Sequence, residues 1–320
     1  MNIPAVSIVI PTRGRPDSLL RCVERLDASA DYEIIISDDG DADETRRVID
    51  GVGFKAAVVQ GPKKGPAANR NFGAAHAVGE LLIFLDDDCI PDAGLIDSYL
   101  AASFRTPEVS VFEGRISATG RMRGFADVVP ENEDGGHLWS CNFAIRRSLF
   151  NEIGGFDERF RFAANEDMDL YLRALKFSPV MFLRDARVYH PWERRAGAKP
   201  LRHKGFSTLL FMNIYPEGTH LYRSFRLLQV AARTVVYGVP QHIRERALAD
   251  PVHLFRRIGY DLKLAAIVLF WNWRRTIAPI LFQPCCETCH EMMRDVAEPQ
   301  QEWTTTSKAG LGGGLLDHVR

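Results

Sequence analysis

Through residues 1–90, short unbroken apolar runs recur, and each ends in a polar turn. Val6–Ile10 reads VSIVI, Glu33–Ser37 reads EIIIS, Ala56–Gln60 is a third run, and Leu81–Leu85 reads LLIFL. A strand that is apolar at every position, not at every second one, has to be covered on both faces. Helices supply that cover, and the intervening sequence predicts them. One runs from Ser18 to about Leu26, with Leu19, Leu20, Val23 and Leu26 on one face and Asp17 as its cap. A short helix is expected over Thr45–Ile49 and a third from about Ala67 to Val78. Alternation of this kind closes into a parallel α/β sheet with right-handed crossovers. Such sheets bind ligands at the carboxyl ends of their strands, where the turns TRGRPD, DDGDADE, GPKKG and DDD fall.

Three adjacent aspartates, Asp86, Asp87 and Asp88, leave the fourth strand in LIFLDDDCIPD. Alternate residues of an extended segment share a side, so Asp86 and Asp88 face one site. Two carboxylates there suit a hard divalent cation that also binds phosphate oxygens. The competing reading is an acidic turn that caps a helix near Gly94, with Asp92 as the cap. Adjacent carboxylates repel, however, and need a cation or solvent to coexist.

ISDDGDADET places Asp39, Asp41 and Asp43 at alternate positions, as in a calcium loop, but Glu44 stands where that loop requires glycine. The better functional reading is a turn in which Asp38 or Asp39 accepts hydrogen bonds from a base or ribose. A solvated acidic turn is the alternative. KKGPAANRNFG joins a basic turn to a helix carrying Arg70 and Asn71, which suits phosphate, although a solvated basic turn has the same composition. In NEDMDLYLR, Glu166 and Asp167 fall in the first turn of a helix, where the dipole favours negative charge. That is either helix-end electrostatics or a carboxylate poised as a general base.

In this order the pieces resemble the family 2 glycosyltransferases of GT-A fold. SIVIPTRGRPDSLLRCVERL is similar to the family's opening strand, loop and helix. EIIISDDGDADET is similar to its strand and nucleoside-contacting acidic turn. KKGPAANRNFGAAHAVGELLIFLDDD resembles its arginine–asparagine helix leading into the DxD motif. CNFAIRRSLFNEIGGFDERF, followed by NEDMDLYLR, resembles its acceptor-side segment and ED motif. The resemblance runs from about Val6 to His190, somewhat over half the chain.

The resemblance implies a Rossmann-like α/β fold, a mostly parallel sheet flanked by helices. The catalytic domain would cover residues 1–192, with a nucleotide-binding part at about 1–90 and an acceptor part at about 91–192. Pro11, Thr12 and Arg15 would line the nucleotide pocket, Asp38 or Asp39 would meet the base, and Arg70, with Asn71 beside it, would approach the nucleotide. Asp86 and Asp88 would form the DxD pair, touching the ribose and a Mg2+ or Mn2+ held on the donor diphosphate. Asp87 leaves that assignment ambiguous by one residue. His190, in VYHP, matches a position that meets the metal or the diphosphate, or is a structural histidine after a strand. Asp167 matches the catalytic base, with Glu166 beside it. The chain departs from the family at Asp41, where serine is usual, and at Asn69, where alanine is usual.

The implied activity is metal-dependent, inverting transfer of a sugar from a nucleotide-diphospho-sugar, by default a UDP-sugar. The acceptor would be a hydroxyl on a glycan or lipid-linked molecule in cell-surface polysaccharide or glycolipid assembly. A sugar nucleotidyltransferase is a second reading, but it needs a glycine-rich, lysine-containing first loop that TRGRPD does not supply. A non-catalytic membrane-associated scaffold is a third, and intact Asp86, Asp88 and Asp167 argue against it.

The formal net charge of −1 conceals a segregation: residues 1–193 carry about −9, residues 194–275 about +11 and the remainder about −3. Residues 193–297 mix arginine with aromatic residues, as in HLFRRIGYDLKLAAIVLFWNWRR, where Trp271 and Trp273 suit a membrane interface. This basic extension reads as amphipathic helices on an anionic membrane surface, or as helices packed on the catalytic domain with solvated arginines. Nucleic acid is not an expected partner. No apolar run reaches the about 18 residues of a membrane span, Leu264–Trp271 included. The opening MNIPAVSIVIPT lacks the basic start of a secretory signal, so the expected location is the cytoplasm, either soluble or peripheral on the cytoplasmic face.

Cys22, Cys89 and Cys141 are isolated and read as buried thiols of a reducing compartment. CxxCH from Cys286 to His290 has the spacing of haem attachment, and Cys285, Cys286, Cys289 and His290 could instead hold zinc. Without an export signal, unligated thiols are the expectation. Residues 298–320 are polar and glycine-rich and read as a flexible tail.

Overall fold

Each apolar run is a strand in the computed structural model, which describes residues 5–26, 32–122, 127–194 and 198–215 and isolated positions between 255 and 291. β1 (Val6–Thr12), β2 (Glu33–Asp38), β3 (Ala57–Gln60) and β4 (Leu81–Leu85) pair in parallel, in the order β3-β2-β1-β4. They are linked by α1 (Pro16–Val23), α2 (Ala42–Gly51) and α3 (Pro66–Ala75). Every residue of β1 and β4 is buried, as unbroken apolar runs require.

Beyond β4 the connections become mixed. β5 (Ile90–Pro91), α4 (Leu95–Arg105), β6 (Val111–Thr119), β7 (Asp127–Val128) and β8 (Asn142–Arg146) come first. They are followed by α5 (Arg147–Glu152), α6 (Glu166–Ala174), β9 (Val180–Pro191), β10 (Glu193–Arg194) and α7 (Ala198–Ile214). The complete sheet has the order β3-β2-β1-β4-β8-β6-β9-β5. β8 runs antiparallel to both β4 and β6, and β6 is parallel to β9. β1, β2, β4, β6 and β9 therefore point the same way and bring their carboxyl ends to one edge.

The chain divides into two compact units. One is Met1–Gly120 with Val129–Pro191, and the other is Arg121–Val128 with Trp192–Arg320. The first holds the eight-stranded sheet. The second contains α7 and an antiparallel pairing of β7 with β10. No helix among the described residues is long and apolar enough to cross a membrane. Leu264–Trp271 apart from Ala266, Trp273, the cluster Cys285, Cys286, Cys289 and His290, and residues 298–320 lie outside the described residues.

Strand residues alternate between two cores. On one face Ile8, Ile10, Ile36, Ile83 and Leu85 pack with Leu19 and Val23 of α1 and with Leu95 and Tyr99 of α4. On the other, Phe84 stacks on Phe143 at 4.9 Å between ring centroids and meets Phe156 edge-on at 5.4 Å. Truncating Phe84 to alanine there would cost about 3–5 kcal/mol. α3 crosses β1 at Gly73, where an added Cβ would lie 2.6 Å from Val9 Cγ1, so only glycine allows the approach.

Helix starts depart from the sequence expectation. Pro16, with its φ already fixed, opens α1, so Arg15 is the N-cap and Asp17 lies in the first turn without capping. α2 begins earlier than Thr45 because the Asp41 carboxylate accepts from the backbone N–H groups of Asp43 and Glu44, both at 3.1 Å. Serine caps helices equally well, which accounts for the departure at Asp41. α4 starts from Gly94 with no side-chain cap, and Asp92 accepts instead from the neighbouring Ala93 N–H.

Candidate active site

The acidic turn after β4 is held from two sides. Asp87 is fully buried; it accepts from Thr12 Oγ1 at 2.6 Å and pairs with Arg15 Nη2 at 2.6 Å. Burial pushes its carboxyl up to about 7, against the pull of Arg15 and Thr12. The central aspartate thus ties the loop after β1 to the turn after β4. Its neighbours meet other cations. Asp86 accepts from Arg70 Nη2 at 2.7 Å, and Asp88 accepts from Arg15 Nη1 at 2.9 Å.

β9 delivers His190 to the same turn, with Nε2 3.3 Å from Asp88 Oδ1. Its Nδ1 faces the Pro191 carbonyl oxygen at 2.7 Å. In the neutral ring Nδ1 then carries the proton and Nε2 presents a lone pair to a carboxylate oxygen, an arrangement that needs a proton or a cation between the two. Burial pulls His190 down, but the hydrogen bond and charge of Asp88 outweigh it and the net shift is upward. A ring nitrogen anchored on a carbonyl, with the other aimed at a carboxylate, is how metal-binding histidines are oriented. Asp88 and His190 therefore fit a divalent cation. Cys89 lies in the same cluster, but its thiol is raised by a hydrogen bond with Cys141 and by burial, and a neutral thiol is a poor ligand for a hard ion.

Arg70, on α3, links this turn to a second pair of acids. It is buried, with Nη2 on Asp86, Nη1 3.4 Å from Glu166 Oε1, and its guanidinium 5.6 Å from the centre of the Phe156 ring. Burial opposes its charge, and Asp86 and Glu166 more than restore it. Glu166 and Asp167 open α6 after Asn165, which adopts φ 68°. Both acids are buried, and Asp167 accepts from the Met168 N–H at 2.8 Å. Burial raises both carboxyls; their mutual repulsion raises Glu166 further, and Arg70 opposes the shift in each. Asp169 is committed elsewhere, to Arg173 at 2.6 Å.

The acidic turn after β2 is built from its own aspartates. Asp38 accepts from Gly40 N–H at 2.6 Å and Thr45 Oγ1 at 2.7 Å, and Asp39 from Lys63 N–H at 2.8 Å and Gly65 N–H at 3.2 Å. Burial raises Asp39 against those two hydrogen bonds. Pro11, on β1, sits opposite Ser37 and is buried. Asn69 donates to the carbonyls of Thr12 and Ser37 and accepts from Ser37 Oγ, stapling α3 to the ends of β1 and β2. Asn71 engages the Phe156 backbone at both ends of its amide and also donates to Glu158.

Sequence reasoning missed Glu113. This buried carboxylate accepts from Asn132 Nδ2 and from the backbone N–H groups of Gly136, His137 and Leu138, all at 2.7 Å. It folds the loop that leads into β8. The available signal was one charge inside the apolar run VFEG, which a buried strand admits only if the charge is fully bonded.

Residues 7–154 match the family model described as Glycosyl transferase family 2, and residues 138–244 match that described as Glycosyltransferase like family 2. The O-antigen biosynthesis protein RfbC of Myxococcus xanthus is 30% identical over 62% of this chain and 18% of its own length. A pre-mycofactocin glycosyltransferase of Mycobacterium tuberculosis is 30% identical over 53% of this chain and 39% of its own. The GalNAc(5)-diNAcBac-PP-undecaprenol beta-1,3-glucosyltransferase of Campylobacter jejuni is 36% identical over 27% of this chain and 30% of its own. The chain thus spans well under half the length of these relatives. The crystal structure of S. aureus TarS aligns with a TM-score of 0.51 at 16% identity, over 87% of this chain and 54% of that one, and so shares its fold.

Proposed function

Because the chain belongs to glycosyltransferase family 2 and its sheet has the GT-A arrangement, we propose that it moves a sugar from a nucleotide-diphospho-sugar to an acceptor hydroxyl, with inversion at the anomeric carbon. Arg70 carries this reading. One buried guanidinium joins Asp86, just after β4, to Glu166, at the start of α6, which supports reading the two acids as the donor side and the base side of one site. The names of two relatives, for O-antigen biosynthesis and for a PP-undecaprenol-linked glycan, support a cell-surface polysaccharide or glycolipid as product and a glycan or lipid-linked acceptor.

In this reading Pro11, Thr12 and Arg15 line the nucleotide pocket, and the turn built by Asp38 and Asp39 shapes its base end. Half-exposed Arg15 meets the diphosphate. Asp86 faces the ribose. Asp88 and His190, with Asp86, would hold Mg2+ or Mn2+, which when bound neutralises the charge of the departing diphosphate. An Asp167 carboxylate oxygen accepts the proton of the acceptor hydroxyl. The hydroxyl oxygen bonds to the anomeric carbon as the bond from that carbon to the diphosphate oxygen breaks, its electron pair leaving with the nucleoside diphosphate. Burial makes Asp167 a stronger base than an exposed carboxylate. Residence in the cytoplasm, peripheral at the membrane, belongs to the same proposal.

A thermal-shift screen of nucleotide sugars in Mn2+ and in Mg2+, with UDP-sugars first and GDP- and dTDP-sugars next, tests the reading. Stabilisation by one donor class supports it, and no shift with any donor in either metal overturns it.

A further inference from the structure

A hard cation makes no use of the Cys89 thiol, yet the thiol lies beside the Asp88–His190 pair. Asp88, Cys89 and His190 each present one ligand atom, and the three atoms lie within 4.8 Å of one another. Cys89 and His190 are buried. Their geometry is partly set in advance, because the Pro191 carbonyl oxygen takes His190 Nδ1 and leaves Nε2 aimed at Asp88 Oδ1. Oxygen, nitrogen and sulfur together are the donor set of a borderline cation, Zn2+ above all, whereas Mg2+ and Mn2+ prefer oxygen.

Distances agree with that chemistry. Around tetrahedral zinc, oxygen and nitrogen ligands sit about 3.4 Å apart, and sulfur sits about 3.6 Å from either. The contact between Nε2 and Oδ1 is already 3.3 Å. All three ligand atoms lie within 4.8 Å of one another, so each separation of Cys89 Sγ has to shorten by no more than about 1.2 Å to reach the zinc value. What it gives up is the S–H hydrogen bond to the Cys141 carbonyl oxygen at 3.6 Å, a thiol being an intrinsically weak donor.

We propose that Asp88, Cys89 and His190 form a three-ligand Zn2+ site, open at its fourth position, that excludes the catalytic cation. Binding breaks the Cys89 S–H bond and forms a zinc–sulfur bond; the proton passes to solvent and no electron is transferred. Affinity among divalent ions rises from Mn2+ to Zn2+, and a thiolate ligand widens the gap. Zinc, where available, would therefore arrest transfer by occupying the site. The inference shares two residues with the catalytic-cation reading but rests on the thiol, which that reading leaves unused.

Co2+ reports such a site, because a cobalt–thiolate bond adds near-ultraviolet absorption that oxygen and nitrogen ligands do not. The test uses the full chain carrying C285S, C286S and C289S, which removes the C-terminal thiols. Co2+ should produce the thiolate band and Zn2+ should erase it. Adding C89S should abolish the band and weaken Zn2+ binding by about tenfold or more, read by competition with a chromogenic chelator. Mn2+ binding, followed by electron paramagnetic resonance, should change less than about twofold in the same variant, which also shows that it is folded. H190A, which leaves the core thiol in place, should likewise lose about tenfold or more in Zn2+ affinity. Absence of the band before C89S is added, or a band and Zn2+ affinity that C89S leaves intact, would overturn the proposal. If the thiolate band forms while Mn2+ fails to bind, the zinc site stands and the catalytic-cation reading falls.

Discussion

Arg70 keeps a positive charge buried among the acids of the site, because Asp86 and Glu166 outweigh the burial that opposes it. It pulls Glu166 and Asp167 towards the ionised form, but burial, the larger effect, pushes both the other way. Asp167 has to be deprotonated to act as a base. With its carboxyl raised above the ordinary value of about 4, turnover should fall as pH drops through a midpoint above that value. The acid limb of a kcat–pH profile measures this, and a midpoint in the ordinary carboxylate range would contradict it. Asp167→Asn should lower kcat by about 10²- to 10⁴-fold and leave donor binding intact by calorimetry. Wild-type turnover in that variant would remove Asp167 from the role. Glu113 offers a residue-scale test of stability alone. Glu113→Gln turns an acceptor of four donors into an amide that places N–H against N–H, and should cost about 1.5–3 kcal/mol in denaturant unfolding.

At the scale of elements, the strands of the first half were legible because their burial on two faces writes itself as an unbroken apolar run. Helix starts were less legible. DDGDADE contains several residues able to cap, and only the backbone decides that Asp41 does so. Asp41→Ala should therefore cost about 1 kcal/mol and Asp41→Ser close to nothing, a difference that thermal melts of the two variants will show. Equal losses would mean that the carboxylate does more than cap. The second half of the sheet was not legible. β8 inserts antiparallel between β4 and β6, so the strand that carries His190 reaches the Asp88 turn through pairings with no local signal. The pairing of Arg70 with Glu166 has the same origin: the residues are 96 positions apart, and only the tertiary fold brings them together. What local patterning did show was which turns carry acids and which strand ends present them.

At the scale of the whole molecule, a net charge of −1 is a cancellation, and its two halves differ in kind. In the front part, much of the negative excess is inside the fold, where Asp38, Asp39, Asp87, Glu113, Glu166 and Asp167 are all buried. Charge that is already paired with arginine, hydroxyl or backbone N–H contributes little to the field outside, so the front should repel an anionic surface less than its count suggests. The positive excess of about +11 in residues 194–275 has no comparable acids nearby in sequence to neutralise it. Basic side chains near an anionic bilayer gain about 1 kcal/mol each, and the gain fades within a Debye length of about 8 Å at physiological salt. The chain should therefore float with liposomes containing phosphatidylserine or cardiolipin at low salt. It should dissociate as sodium chloride rises towards about 1 M, where the Debye length is about 3 Å, and it should ignore neutral phosphatidylcholine liposomes. Recovery only in the lipid-free fraction at low salt would show instead that the arginines of the extension are solvated or packed against protein. Binding that survives high salt would show that apolar insertion, and not charge, holds the chain to the surface.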